Sequence, residues 1–523
     1  MKRRDFCKGL LLTCAAGALY PGMEAQAAQS GAATALVGRA VPDDTYPLWY
    51  RSDRSMLDLQ HSYFYSEALF DHPATEYDNR LALITLGMTL AAFNTMESDK
   101  QYWVTGEAGR ADHIRDAFAK LGFAEVELFN YEHSMNDAPH TVGCAVARKT
   151  LVRNGGRVTI LAAFLRGSGY GAEWADNFYV GEGSAHAGFV TAARQLATQI
   201  QSYVKRMEKK EPLGTLKFWM GGYSRSAAVA NLLAAALPKQ LSQLSREHTY
   251  VYTFAAPAAL TASDCPDLRQ DHDNNHKADG TLKPNWDASN IFNIISSGDI
   301  VPRVLPAAWG FYRNGNDRFL PAVQVPDEQE ALNERGALLS GEAMRFDQLA
   351  TAEETDTAVE EMVDFFESRQ NFHEVYEPVF RCMLQCACTR SEDEVLEGAV
   401  LDDVEVVERL RSMDGMAQFS LEEITRSVQR ASSMSRPILE KLDDTVPLTI
   451  RQMAVPMLAV GLCFNMEDYP LTIMVTFVLS LFSGERQAND VVRAALCHFA
   501  ENYLVMLEFY APEEHGMEPY TKR

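Results

Sequence analysis

The 523-residue chain predicts an α/β fold: a mainly parallel sheet covered by helices, with a large helical insertion behind it. Three observations predict it. Strand-like and helix-like segments alternate after about residue 57, the order that a parallel sheet with crossover helices produces. Residues 157–165, RVTILAAFL, are almost wholly apolar, as a strand buried on both faces of such a sheet must be. Near residue 325 the chain turns acidic, takes on helical spacing and loses its β-branched runs.

The elements follow in order. Residues 1–27 read as an export signal. Lys2-Arg3-Arg4-Asp5-Phe6 opens with paired arginines, residues 9–20 are apolar but too short to span a bilayer, and Ala25-Gln26-Ala27 supplies a small-x-small cleavage pattern. The arginine pair resembles a twin-arginine signal, with an ordinary secretory signal as the alternative; either places the mature chain in the periplasm or outside the cell. Lipid anchoring would use Cys14, although Thr13 before it fits poorly. Residues 28–57 are small and polar, an extended N-terminal arm. Residues 58–324 form the α/β core, with helices expected at 81–93, 111–121, 184–207 and 227–237. Its strands are expected at 126–129, 142–149, 157–165, 216–220, 250–254 and 291–295. Residues 262–287 read as an exposed polar loop. Residues 325–485 are the helical insertion or cap, ending in two apolar stretches at 454–464 and 470–482 that suggest a buried or interfacial helical hairpin. Residues 486–523 return to the core.

Composition narrows the function. A formal charge of −23 and a pI near 5.0 exclude the basic surface that nucleic-acid binding needs. They suit a neutral substrate, with transient contact at a lipid interface as a further expectation. Of nine cysteines, Cys382, Cys386 and Cys388 cluster as C-x3-C-x-C, which fits no common zinc pattern. They read as helix-buried thiols, with one disulfide partner among them as an alternative. The Asp271-His272-Asp273-Asn274-Asn275-His276 run lacks the glycine and distal glutamate of an EF-hand loop and reads as solvated. No metal or organic cofactor is expected.

The sharpest chemical signal is Met220-Gly221-Gly222-Tyr223-Ser224-Arg225-Ser226-Ala227-Ala228, in which a strand runs through Gly-x-Ser-x-small into an Ala-rich helix. A nucleophile on so tight a turn needs small neighbours, and the helix N-terminus offers the Arg225 amide to a developing oxyanion. A second oxyanion donor is expected from Phe164-Leu165-Arg166-Gly167-Ser168-Gly169, through Ser168. Asp299, in Ser297-Gly298-Asp299-Ile300-Val301-Pro302-Arg303, lies just past a strand, where the acid of a triad belongs.

These motifs, with Trp174-Ala175-Asp176-Asn177-Phe178, Ala185-His186-Ala187-Gly188-Phe189 and Tyr252-Thr253-Phe254-Ala255-Ala256-Pro257, occur in an order that resembles the class 3 (fungal-type) lipases and their bacterial lipase-like branch. The resemblance covers roughly residues 60–310. It implies an α/β-hydrolase fold, Ser224 as nucleophile, Asp299 as acid, and Ser168 with Arg225 at the oxyanion hole. Leu165 stands between a Phe and an Arg that adjoin in many members, and Ser226 stands where glycine is common. The base should follow Asp299. His498, in His498-Phe499-Ala500-Glu501-Asn502-Tyr503-Leu504, is similar to the bacterial ending. His373, in His373-Glu374-Val375-Tyr376, matches the shorter fungal H-x-x-Y. His515 also follows the acid, whereas His186 precedes the serine and reads as structural. The expected chemistry is hydrolysis of lipid-like carboxylic esters through an acyl-enzyme. A secreted binding protein without turnover, and thioesterase or peptidase activity from the same triad, remain open.

Overall fold

The computed structural model describes residues 44–52, 55, 57–93, 111–131, 140–167, 176–261, 288–321, 328–341, 343–388, 402–442, 448–464, 493–494 and 496–513. The leader, Ser168, the loop carrying Asp271 to His276, the apolar stretch 470–482 and His515 lie outside the described residues.

A hairpin of β1 (Thr45–Arg51) and β2 (Asp58–Phe64) comes first. The central sheet contains β3 (Ala124–Phe129), β4 (Cys144–Arg153), β5 (Gly156–Leu165), β6 (Thr215–Tyr223) and β7 (Thr249–Phe254). A two-residue strand β8 (Leu260–Thr261) pairs with β10 (Phe311–Tyr312) away from the sheet, which is completed by β9 (Ile291–Ser296) and β11 (Asn316–Leu320). The order is β11-β9-β7-β6-β5-β4-β3. From β11 to β5 every pairing is parallel, and β4 and β3 close the other edge antiparallel. This is the α/β-hydrolase arrangement that the sequence predicts.

Every residue of β7 and β9 is buried, because helices cover both faces. Side chains alternate between two cores, as the two-residue strand period requires. Leu161, Ala163 and Leu165 face the helices Ala187–Lys210 and Arg225–Gln240. Ile160, Ala162 and Phe164 face the helices Asn79–Ala91, Asp112–Lys120 and Ala500–Phe509. The first of these helices lies so close to β6 that a Cβ on Gly221 would meet Thr89 Oγ1 at 2.5 Å.

Three placements differ from the sequence reading. Residues 45–51, expected in an extended arm, form β1, with Leu48 and Tyr50 buried in the second core. The composition of residues 28–57 as a whole concealed this short apolar run. Strand β11 is polar at Asn316, Asp317 and Arg318, and it holds its place at the sheet edge through Asp317, which accepts from Asn293 and Arg313. The helix Gln329–Ser340, expected in the insertion, puts Leu332 and Leu339 into the second core and belongs with the hydrolase layers.

The later helices have a core of their own. Helices Glu377–Cys388, Asp403–Arg411, Leu421–Leu442 and Leu448–Cys463 bury Val379, Val406, Leu410, Ile424, Val428 and Leu458 together. The apolar run 454–464 packs here as a buried helix, one of the two forms the sequence suggests for it. Cys382 and Cys463 are buried thiols in this cluster. No described helix is long and apolar enough to cross a membrane.

Candidate active site

The turn from β6 into the helix Arg225–Gln240 is built by its small residues. Ser224 sits at φ 57°, ψ −126°, a costly conformation for a residue with a side chain. The surroundings hold it there. Its amide donates to Phe254 O at 2.9 Å, and its carbonyl accepts from Ala227 N at 2.9 Å. A Cβ on Gly222 would lie 2.6 Å from Ser226 O, so the position two before the serine must be glycine. Ser226 uses its hydroxyl to tie the elbow. The oxygen accepts from Tyr223 N at 2.9 Å and lies 2.9 Å from the carbonyls of Leu165 and Tyr223.

Asp299 follows β9 and is fully buried. Its Oδ1 accepts from Val301 N at 2.9 Å. Gly298 lets the loop pass beneath Ala350, whose carbonyl would lie 2.3 Å from a Cβ there. Thr355 Oγ1 donates to Gly298 O at 2.8 Å, and Arg303 bonds Ser297 O at 2.8 Å while pairing with Asp356. The start of the helix Ala352–Phe366 therefore braces the acid loop.

His498 precedes the helix Ala500–Phe509. Tyr223, the residue before Ser224, donates its hydroxyl to His498 O, and Asn502 Nδ2 donates to Leu496 O at 2.6 Å. The ring so held spans the gap: Nε2 is 2.8 Å from Ser224 Oγ and Nδ1 is 2.9 Å from Asp299 Oδ2. An imidazole protonated at Nδ1 donates to the carboxylate and accepts the serine proton at Nε2, the relay that a serine nucleophile needs. Tyr503, one and a half turns along, donates to Asp299 Oδ2 at 2.7 Å. The sequence run around His498 contains this tyrosine, but its role was visible only once the helix placed it.

The competing histidines lie elsewhere. His373 Nδ1 is 2.7 Å from Glu377 Oε2 and its Nε2 is 3.6 Å from Glu182, so the structure does not bring it to Ser224. His186 caps the helix Ala187–Lys210, accepting from Phe189 N and bonding Asn177 O through Nε2 at 3.1 Å. Burial pushes its pKa down to about 3, which keeps it neutral.

Around the elbow lies a charged network that the motifs carried without explaining. Arg225 is buried, its guanidinium 3.1 Å from Asp176 Oδ2 and 3.2 Å from Asn177 Oδ1, over the Phe189 ring. Asp176 also meets His140 Nδ1 at 2.8 Å, and Gly188 leaves it room. The run 176–178 and the run 185–189 thus converge on Arg225, the residue after Ser224. Arg225 is the first residue of its helix, so its amide belongs to the N-terminal group that can meet an oxyanion. Ser168, the expected second donor, lies outside the described residues.

Ser224 and His498 open into a pocket enclosing about 740 Å³ of empty space, its mouth included. Beside Asn177 and Arg225 its walls are apolar, with Phe178, Phe189, Val301, Leu305, Trp309 and Phe366 among them.

Residues 164–309 match the family model Lipase (class 3). That stretch contains Ser224 and Asp299 and ends before either candidate base. Solved structures similar to the chain include a triacylglycerol lipase whose catalytic centre is formed by a serine protease triad, at 19% identity and TM-score 0.31, over 46% of this chain and 79% of that one. A Rhizomucor miehei lipase propeptide complex is similar at 18% identity and TM-score 0.30, over 46% and 68% of the two chains. A lipase from Rhizopus microsporus var. chinensis aligns at 15% identity and TM-score 0.30, over 49% and 76%. No curated protein matches the chain.

Proposed function

From the similarity of residues 164–309 to class 3 lipases, we propose that this chain is an exported serine hydrolase that cleaves lipid-like carboxylic esters through an acyl-enzyme. The observation that carries the reading is the His498 ring, bridged between Ser224 Oγ at 2.8 Å and Asp299 Oδ2 at 2.9 Å. Ser224 Oγ attacks the ester carbonyl as its proton passes to His498 Nε2. The Arg225 amide meets the oxyanion, and Ser168 is the proposed second donor. His498 then protonates the leaving alkoxide. Water, deprotonated by the same ring, releases the acid and restores Ser224. Buried Asp299 holds the ring's orientation and balances its charge in both steps.

An apolar pocket beside the serine suits a hydrocarbon group on a neutral ester, and contact with a lipid interface is part of the proposal. Export rests on residues 1–27, and the N-terminal sequence of the secreted protein tests it. The function is tested by hydrolysis of p-nitrophenyl esters and by labelling with a fluorophosphonate. Both should vanish in Ser224→Ala and fall by at least a thousandfold in His498→Ala, while His373→Ala keeps activity. Absence of both hydrolysis and labelling at Ser224 in the folded wild type would overturn the proposal.

A further inference from the structure

Met362, Phe366 and Phe372 line the pocket that holds Ser224 and His498. None of the three lies within the residues that match the lipase family model. They come from the helix Ala352–Phe366 and the turn after it, so this chain's own insertion supplies one wall of the site.

The turn is unusual in its backbone. Glu367 reverses the chain at φ 58°, ψ −48°, a strained conformation outside glycine. After Arg369–Asn371 the helix widens into a π-turn over Phe372–Tyr376, a form often found where side chains are re-aimed at a functional site. The outcome is an aromatic panel. Phe366 and Phe372 meet edge to face at 5.1 Å, and Trp309 lies 5.8 Å from Phe372 and 6.1 Å from Phe366. Phe380 backs both phenylalanines at 6.3 Å.

The panel is also fastened to the hydrolase core. Arg369 donates to Gly181 O at 2.8 Å and Gly183 O at 2.9 Å, and its guanidinium lies 5.1 Å from the Phe311 ring. Residues 181–183 directly follow Val180, another residue of the pocket. Rings that are packed against one another and clasped at the turn form a rigid surface, because packed interiors yield little to an added methylene.

We propose that Phe366 and Phe372, with Trp309, form a fixed stop that sets the longest acyl chain the site accepts. The inference rests on the serine-esterase reading of Ser224. Each methylene buried short of the stop should raise kcat/KM about fourfold. The first methylene beyond it must displace a ring, and the gain reverses.

The test uses a homologous series of p-nitrophenyl n-alkylphosphonates, from ethyl to hexadecyl, on the full chain, with intact mass and peptide mapping reading the labelling rate at Ser224. In each reaction a Ser224 Oγ–P bond forms and p-nitrophenolate leaves with its electron pair. The serine proton passes to His498. Wild-type rates should climb and then break at one length. In Phe372→Ala the break should move to longer chains, with at least a tenfold gain just beyond the wild-type break relative to the variant's own ethyl rate. Phe372→Leu should move it less and serves if the alanine variant fails to fold. Val375→Ala, altering a half-exposed neighbour, should leave the break in place. A break unmoved in folded Phe372→Ala or Phe372→Leu overturns the stop while leaving the esterase reading intact. No labelling of wild-type Ser224 overturns both.

Discussion

Tyr503 donates its hydroxyl proton to Asp299 Oδ2 at 2.7 Å, on the same oxygen that His498 Nδ1 meets at 2.9 Å. The tyrosine is held for this task. Its oxygen accepts from Ser296 N at 3.0 Å, and its ring packs edge to face on Tyr223 at 5.6 Å. Burial, and then the charge of Asp299, push its pKa well above the ordinary value, so it stays a donor wherever the protein is folded.

Replacing Tyr503 with Phe removes a bond to a charged acceptor, worth roughly 1.5–3 kcal/mol, without disturbing the ring packing. The expected result is a drop in kcat of about tenfold or more on p-nitrophenyl esters, with KM little changed, because Asp299 orients His498 less firmly in the transition state. Equal kcat in Tyr503→Phe and wild type would show that the loop bond from Val301 suffices to hold the carboxylate.

A second prediction concerns Asp176 and Arg225, an ion pair with both side chains about 1% exposed. Removing one partner strands a buried charge, at a cost of about 3–5 kcal/mol. Asp176→Ala should therefore unfold at markedly lower urea. Arg225→Met with Asp176→Leu, which removes both charges, should recover much of that stability. It should not recover kcat if the guanidinium anchors the peptide whose amide meets the oxyanion. Full recovery of kcat in the double variant would assign the pair to stability alone.

Much of this site was readable from residue order. A strand entering Gly-Gly-Tyr-Ser-Arg-Ser and an apolar run at 157–165 place Ser224 on its turn because local backbone demands are strong there: Gly222 tolerates no Cβ, and Ser224 needs φ 57°. Asp299 was legible for the same reason, as it follows a fully buried strand. The histidine that bridges Ser224 and Asp299 was not, since His373 and His498 both sit in plausible runs. What separates them is a tertiary fact, the hold of Tyr223 and Asn502 on the loop before the helix Ala500–Phe509. The aromatic panel was also hidden. Phe366 and Phe372 look like ordinary core residues of a helical segment, and only the reversal at Glu367 turns them into the pocket. The hairpin at 45–64 and the edge strand at 316–320 escaped because short or polar strands carry little period-two signal and take their stability from partners far along the chain.

The last prediction follows from Glu508, on the helix that begins just after His498. It receives Arg335 at 2.6 and 2.7 Å and His61 at 2.8 Å, joining that helix to the helix Gln329–Ser340 and to β2. Burial alone would raise its pKa, but the hydrogen bonds and charges of Arg335 and His61 prevail and lower it from 4.5 to about 2. A carboxyl whose folded pKa lies below its unfolded one stabilises the protein above the unfolded value. That contribution fades as pH falls from about 4.5 towards 2. Its size at neutral pH is on the order of 3 kcal/mol, from 1.36 kcal/mol per pKa unit. Glu508→Gln should thus lower urea stability by about that amount at pH 7. The gap to wild type should narrow below pH 4.5 and close near pH 2. A gap of constant size across that range would mean that Glu508 acts through packing and not through its charge.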